Sequence, residues 1–489
     1  MQLEDDSEDE DVNLLDDIEE KADLYNPSLT LRKCCSKILD KLSLEFPQII
    51  FEVLKPYLEN DMQSDDWLTK ERSILVLGAI GKGSYEYLKP HLNNLLKYLI
   101  GELNHQNKLV RAISCWTLSR FFKFLIEDNL SQNKEDLFRS FLSELVKRFL
   151  DKENIVQEAA CTAFNSLIQF NKEKLTPYLY DIFKIISSVQ EKYLGNSLLA
   201  LYDTIILLTE NFEDEFKNSE LVNDVLMCIL KKWYLLIEKV KNQVKMKNQN
   251  EQNFLSTDVS NVVFFDLLTS IVRVCGNLIE NYLEDLIEGN LNVIQCYSED
   301  KDIVCKSLDM ISVLCQVQTE RMRRSPQIIK LVEIVFRLLE FDSDINIKQY
   351  VLALVGDLCK VDSNLLYSNI NPLIEVLTNH IRVFDSNKGR TDINLISVCN
   401  NSCWTLGILA GTFMDRICVY VDRIIGELLK IIRVPKLNKA LAQNISICIG
   451  RLGLACPEKV SFYNEYYIKQ FCMSLKSADD SIEKQEAFK

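Results

Sequence analysis

Side chains that could carry catalysis are few in this sequence of 489 residues. It contains three histidines, His91, His105 and His380. None of them stands in sequence near a cysteine nucleophile and a carboxylate, the partners that a catalytic histidine needs. Acid–base catalysis by another residue type would leave no readable mark. We therefore expect no enzyme, no catalytic residue and no cofactor.

Two local patterns resemble ligand sites but lack their full chemistry. Cys399 and Cys403 are spaced i, i+4 and could face one way on a helix, yet a structural zinc needs four such ligands and no second Cys or His pair completes the set. The stretch from Gly78 to Gly83 has glycines without the strand–loop–helix setting of a phosphate-binding loop. We interpret the cysteines as core residues, the glycines as a helix end with its turn, and expect no metal site.

Two near-identical segments are the stronger signal. Ser114–Leu118 and Ser402–Leu406 both read SCWTL, so Trp116 and Trp404 stand in equivalent surroundings. A tryptophan inside a helix is more often part of the core than of a binding site. Two like-placed indoles nevertheless favour two like-built contact points for a ligand.

Carboxylates recur in the same kind of helix. Each lies within an otherwise apolar or small-residue stretch, where it faces either solvent or a cationic ligand. The set comprises Asp40, Glu158, Asp203, Glu210, Asp266, Asp309 and Asp357. Together with the indoles, these acids would suit an extended, basic, partly aromatic peptide, because carboxylates bind cations and indole faces take aliphatic, aromatic or guanidinium groups.

The elements that would position these residues are repeated helix pairs. A polar turn, a branched aliphatic residue and an Ala/Ser/Leu-rich helix recur, with Val110 and Val156 46 residues apart and Val304 and Ile347 43 apart. This period is typical of HEAT and armadillo repeats. We predict an all-α fold, an α-solenoid superhelix of about ten antiparallel helix pairs, whose second helices line the concave side and which is a fragment of a longer array.

Apolar periodicity gives approximate positions for the pairs. A single helix is predicted at 28–45, and a last pair begins near 458. The complete pairs are predicted at 46–82, 89–125, 136–170, 175–211, 219–280, 284–317, 326–360, 363–412 and 415–454. Polar insertions near 241–259 and 384–391 are expected to be surface loops, so the repeat domain would span residues 28–489.

The excess of acidic over basic residues lies mostly at the start of the chain. Residues 4–20 carry eleven acids and no base, which accounts for most of the formal charge of −15. Such a block is usually a solvated, disordered segment, and the alternative is a segment that competes for a basic ligand. We assign residues 1–27 to this acidic segment. Sixteen scattered cysteines suggest a reducing compartment, and neither a membrane span nor a signal peptide is evident, so we expect a soluble intracellular protein.

Several segments resemble the transportins, the karyopherin-β import receptors for proline-tyrosine nuclear localisation signals. The resemblance runs from about residue 28 to the C-terminus and would correspond to the C-terminal half of such a receptor. It is carried by Leu31–Lys33, Ile74–Ile80, Leu109–Arg120, Val156–Cys161, Leu201–Asp203, Ile396–Trp404 and Ile449–Gly453.

The resemblance implies three parts of a cargo-binding surface. The proline-tyrosine dipeptide would dock against Asp40, Leu75, Ile113, Trp116 and Arg120, with the apolar side chains as a floor and Arg120 as a hydrogen-bond donor. The basic middle of the signal would pass Glu158, Asp203, Glu210, Asp266 and Asp309. The upstream epitope would reach Asp357, Ile396, Trp404 and Ile447.

Three positions depart from the family pattern. Lys37, Gln169 and Leu207 stand where the family usually shows a small residue, a carboxylate and a hydroxyl. The resemblance implies that the proline-tyrosine contact survives, while tolerance for the basic segment differs.

The resemblance also implies the partners. These are cargo proteins with basic proline-tyrosine signals and, for the whole receptor, nucleoporins and Ran-GTP. The Ran-binding repeats would lie outside this sequence, so the chain should hold cargo without releasing it to Ran-GTP by the normal route. We expect a monomer that shuttles between cytoplasm and nucleus and binds neither nucleic acid nor membrane. The competing hypothesis is a HEAT-repeat scaffold subunit whose tryptophans are buried and whose partners bind elsewhere.

Overall fold

Helix pairs make up the described part of the chain. The computed structural model describes residues 31–122, 132–170, 172–218, 222–247, 259–296, 300–341, 344–384, 392–476, 478 and 481–488, and no β-strand occurs among them. A first helix, α1 (Leu31–Glu45), precedes the pairs. The all-α prediction is confirmed, and the fold is a HEAT-repeat α-solenoid.

The observed pairs follow the predicted ones closely. They are Pro47–Asp61 (α2) with Trp67–Ile80 (α3), Leu92–Glu102 (α4) with Lys108–Ser119 (α5), Gln132–Arg148 (α6) with Asn154–Phe170 (α7), Leu179–Val189 (α8) with Gly195–Asn211 (α9), Val222–Lys247 (α10) with Val259–Val274 (α11), Leu283–Cys296 (α12) with Lys301–Val317 (α13), Ile328–Phe341 (α14) with Ile345–Val361 (α15), Ile370–Phe384 (α16) with Ile393–Thr412 (α17), Val421–Ile432 (α18) with Lys439–Ala455 (α19), and Asn464–Lys476 (α20) with Ile482–Ala487 (α21).

The predicted acidic segment and insertions fall mostly outside the described residues. Residues 1–27, 248–258 and 385–391 lie outside the described residues. Residues 241–247 do not form a loop, because they continue α10 as its last turns. Short helices that periodicity did not reveal precede several first helices, for example Met414–Ile417 and Pro457–Ser461.

Polar caps explain where many second helices begin. Asp66, Asn107, Asp300, Asp344 and Asp392 each accept a hydrogen bond from a backbone N–H in the first turn of the helix that follows. Such a cap satisfies one of the amide groups that have no partner within the helix. The polar turns of the sequence pattern are therefore the helix start signals.

The chain divides into two compact units. One contains residues up to 234 together with 258–274, and the other contains residues 235–257 and 275–489. Within the first unit the second helices pack in succession from α1 through α3, α5, α7 and α9 to α11. Within the other they pack in succession from α13 through α15, α17 and α19 to α21.

Ion pairs join neighbouring repeats at the turns. Arg111 binds Asp151 through two nitrogens at 2.8 and 2.9 Å, and both side chains are almost fully buried. Lys301 binds Asp344 at 2.7 Å in the other unit. A buried charge must be paired, so loss of either member of the Arg111–Asp151 pair would leave an uncompensated ion.

Candidate functional site

Both SCWTL segments pack against the preceding second helix in the same way. Trp116 of α5 lies on Gly78 of α3, and Trp404 of α17 lies on Gly356 of α15. A Cβ built on either glycine would overlap the Cζ3 atom of its tryptophan. Each indole therefore rests on a helix surface from which a side chain is missing.

The flanking hydroxyls repeat as well. Thr117 donates to the carbonyl oxygen of Ile74 at 3.0 Å, and Thr405 donates to that of Leu352 at 2.9 Å. Ser114 and Ser402 each donate to a carbonyl four residues earlier in their own helix. The sequence repeat is thus a structural repeat, one copy in each unit.

An ion pair and an indole form the first cluster. Nη2 of Arg120 lies 2.7 Å from Oδ1 of Asp40, and their side chains are 27% and 34% exposed. The Arg120 guanidinium lies 5.7 Å from the Trp116 ring centroid. Leu75 of α3 is half-buried. The structure therefore brings together Asp40, Trp116 and Arg120, although they are up to 80 residues apart in sequence.

Two members of this predicted site are not on the surface. Trp116 is 3% exposed and Ile113 is 1% exposed, so the expectation of an open Trp116 is wrong for this conformation. The reason is that Gly78 admits the ring closely and the Arg120 guanidinium lies over it. Nε1 of Trp116 and Nε of Arg120 are nevertheless buried without a hydrogen-bond partner. Unpaired buried donors are uncommon, and they are groups that an incoming acceptor would satisfy.

Four of the five acids predicted to meet the basic middle of the signal lie on three successive second helices of the first unit. Asp203 and Glu210 of α9 are exposed, while Glu158 of α7 and Asp266 of α11 are half-buried. Glu158, Asp203 and Asp266 interact with other groups of the chain. The exposed carboxylates provide the negative charge at this surface.

The departures from the family pattern lie on these helices and on α1. Gln169 is exposed at the end of α7, and Leu207 is half-buried on α9 between the two exposed acids. Lys37 is half-buried on α1, where it too interacts with other groups. The surface between Asp203 and Glu210 is therefore partly apolar.

One predicted acid of the second unit is an interior group. Asp357 is 2% exposed, and its carboxylate accepts hydrogen bonds from the Ser312 hydroxyl and from Nε2 of Gln316, the latter at 3.0 Å, which offset the cost of its burial. Burial raises the pKa of Asp357, although both hydrogen bonds oppose that change. Its expected contact with cargo is therefore not available in this conformation. Asp309 of α13 is half-buried.

Trp404 is the more accessible indole. It is half-buried, its Nε1 donates to Oε1 of Glu483 at 3.2 Å, and Nζ of Lys360 lies 4.7 Å from its ring centroid. Ile396 is half-buried eight residues earlier in α17, whereas Ile447 of α19 is 7% exposed and belongs to the core. The prediction that Ile447 lines a surface is wrong, because α19 packs between α17 and α21.

Sequence reasoning missed the charged groups around Trp404. Lys360 follows Gly356 by four residues and so shares its helix face, a spacing that could have revealed it. Glu483 of α21 also lies 3.6 Å from Arg451, which binds Glu486 at 2.8 Å. Lys360 and Glu483 contact this indole and Arg451 and Glu486 extend the cluster, so two cations and two carboxylates balance within it.

The described residues show no cluster of three or more His, Cys, Asp or Glu able to hold a metal ion. Cys399 and Cys403 are fully buried in α17. In the same part of the chain, α17 is the one helix long and apolar enough to cross a membrane. It packs instead between α15 and α19 as a core helix.

Known proteins resemble this arrangement. A family model described as "Stalled ribosome sensor GCN1-like, HEAT repeats" matches residues 28–202. Transportin-1 of Mus musculus is 29% identical over 459 residues, which cover 94% of this chain and 49% of that protein. Importin subunit beta-2 of Schizosaccharomyces pombe is 25% identical over 478 residues, covering 94% and 49%.

Solved structures share the fold at lower identity. The crystal structure of importin beta in an ammonium sulfate condition has a TM-score of 0.66 at 14% identity, covering 98% of this chain and 61% of that one. The structure of yeast importin-beta (Kap95p) has a TM-score of 0.65 at 12% identity, covering 98% and 60%. The chain spans about half the length of the curated relatives it matches. The chain is therefore similar over 94% of its length to transportin-1 and to importin subunit beta-2, which supports the resemblance to the transportin and karyopherin-β family.

Proposed function

We propose that this chain is the cargo-binding part of a nuclear import receptor and that its second helices bind extended, basic proline-tyrosine nuclear localisation signals. Residues 28–489 would form the binding domain, and residues 1–27 an acidic segment that precedes it in sequence. The protein would act as a monomer that moves between cytoplasm and nucleus. The whole protein would also bind nucleoporins and Ran-GTP.

The cluster of Asp40, Trp116 and Arg120 carries this proposal. A carboxylate, a guanidinium and an indole converge there, and two buried donors have no acceptor. A proline-tyrosine dipeptide offers matching groups: an apolar ring for the indole, carbonyl oxygens for the two donors and a phenolic hydroxyl for Asp40. Because Trp116 is almost fully covered, the Asp40–Arg120 pair would have to open as the peptide enters.

The remaining contacts would be individually weak. Exposed Asp203 and Glu210 would attract basic residues, and an exposed ion pair contributes at most about 1 kcal/mol. The upstream epitope would contact Trp404 and Ile396. Because the charged side chains near Trp404 balance, an apolar group of the ligand is favoured there. Linked weak contacts of this kind can together give a tight complex.

Calorimetry with two peptides tests the proposal. A basic peptide that ends in Pro-Tyr should bind to the purified chain, and the same peptide ending in Ala-Ala should bind at least ten-fold more weakly. Equal affinities for the two peptides would exclude the dipeptide site.

The burial of Trp116 also favours a second candidate, a HEAT-repeat scaffold whose partners bind outside these helices. A scaffold would bind neither peptide. The same titration therefore separates the two functions, because absence of binding by both peptides supports the scaffold.

A further inference from the structure

Two cysteines from neighbouring repeats meet at one edge of the second unit. Cys418 follows the short helix Met414–Ile417, and Cys456 follows α19. The Sγ atom of Cys418 lies 3.2 Å from the carbonyl oxygen of Ala455, the residue immediately before Cys456. The two turns are thus in direct contact at the Cys418 thiol.

The backbone around this pair is held in place. Nζ of Lys459 donates to the carbonyl oxygen of Cys418 at 2.9 Å and lies 3.1 Å from Oδ2 of Asp422. The Cys418 Sγ also lies 3.1 Å from the carbonyl oxygen of Met414. These contacts tie both turns together and hold Cys418 beside the turn that contains Cys456.

The two thiols are close enough for one to affect the titration of the other. Burial and the Cys456 thiol raise the pKa of Cys418, while Lys459 opposes this rise. Both cysteines are partly exposed, so an oxidant in solution can reach them. Cys399 and Cys403 also interact, but both are fully buried and belong to one helix.

We propose that Cys418 and Cys456 are a site of reversible oxidation, at which a disulfide joins the turn between α17 and α18 to the turn between α19 and α20. With hydrogen peroxide as oxidant, the thiolate of one cysteine attacks a peroxide oxygen, breaks the O–O bond and becomes a sulfenic acid, with release of water. The second thiolate attacks that sulfur, forms the S–S bond and displaces the sulfenic oxygen as a second water. Two thiols are oxidised and one peroxide is reduced.

The position of this link gives it a structural effect. It would fix the C-terminal end of α17 relative to that of α19, the helices that carry Trp404 and Ile447. Intracellular disulfides are usually transient and serve redox sensing. A link between adjacent repeats would restrict the movement of one helix pair against the next.

Peptide mapping tests the link directly. The chain is treated with hydrogen peroxide, its remaining thiols are alkylated, and trypsin then cleaves after Arg416, Arg423, Arg451 and Lys459. We expect peptide 417–423 disulfide-bonded to peptide 452–459 in the non-reduced digest, and its loss after reduction by dithiothreitol. Cys418→Ser and Cys456→Ser should each abolish the linked peptide while retaining the helical circular dichroism spectrum.

Internal controls make a negative result decisive. Exposed Cys35 and Cys472 report whether the oxidant has reacted with the protein. If they are oxidised while peptides 417–423 and 452–459 stay unlinked, the proposal is overturned. It is also overturned if the peptide containing Cys399 and Cys403 loses two hydrogens to the same extent as the Cys418 and Cys456 peptides become linked. Oxidation would then not depend on the exposure and position of the thiols.

Discussion

At the scale of single residues, Trp116 has the most direct test. Trp116→Ala should weaken binding of a Pro-Tyr peptide more than ten-fold in calorimetry, because burial of an apolar side chain contributes roughly 1.5 to 3 kcal/mol. Trp233→Phe is the matched control, since Trp233 packs on Phe265 inside α10 and α11 and should not affect the peptide. An unchanged affinity in a Trp116→Ala variant that keeps its helical spectrum would remove Trp116 from the site.

His380 gives a prediction for pH. Burial, with a smaller effect of Lys348, lowers the pKa of His380 from 6.5 to about 4. Between these values the unfolded chain binds the proton and the folded chain does not, so His380 makes stability fall as the pH falls through this range. His380→Gln should therefore reduce the drop in Tm on acidification, whereas a substitution of exposed His91 should not. Identical acid profiles for His380→Gln and the parent chain would contradict this assignment.

The burial of individual side chains is what the sequence predicted least well. Periodicity places Trp116 and Asp357 in second helices, as observed. Their exposure depends on distant partners, Gly78 for the indole and Ser312 with Gln316 for the carboxylate. A pattern within one helix contains no information on which neighbour will cover it, so both were expected to be more open than they are.

At the scale of helices, the glycine beneath each indole is a packing requirement. Gly356→Ala should lower the free energy of unfolding by about 1–3 kcal/mol, as overpacking of a core usually does, and should displace the Trp404 ring. Gly411→Ala is the control in the same region, because nothing lies within 4 Å of a Cβ at that position. Thermal denaturation of both variants tests this prediction. Equal Tm values would show that the Trp404 ring can move aside without a loss of stability.

Helix positions, by contrast, could be predicted well. Polar turns and apolar stripes are both local signals, so the pair predicted at 326–360 is observed as Ile328–Phe341 with Ile345–Val361. Short helices such as Met414–Ile417 were missed because they contain too few residues to show a period. The polar turns and the repeat spacing together were sufficient for the fold class.

At the scale of the molecule, the acidic surface predicts a salt effect. Peptide affinity should fall as ionic strength rises from about 0.05 to about 0.5 M, because exposed charges more than a Debye length apart are screened. Asp203→Asn combined with Glu210→Gln should weaken binding at low salt and flatten the response. A flat response in the parent chain would show that these acids do not attract the ligand.

The capped starts of the second helices have one more consequence. Lys301, at the start of α13, binds Asp344, the cap of α15, so the positive ends of these two helix dipoles lie side by side and repel each other. The cap carboxylate offsets that repulsion, and the Lys301 hydrogen bond keeps the pKa of Asp344 below its usual value. Strong acid that neutralises this carboxylate would leave the adjacent amide ends uncompensated. Acid unfolding of these repeats should accordingly begin along the edge where the second helices start.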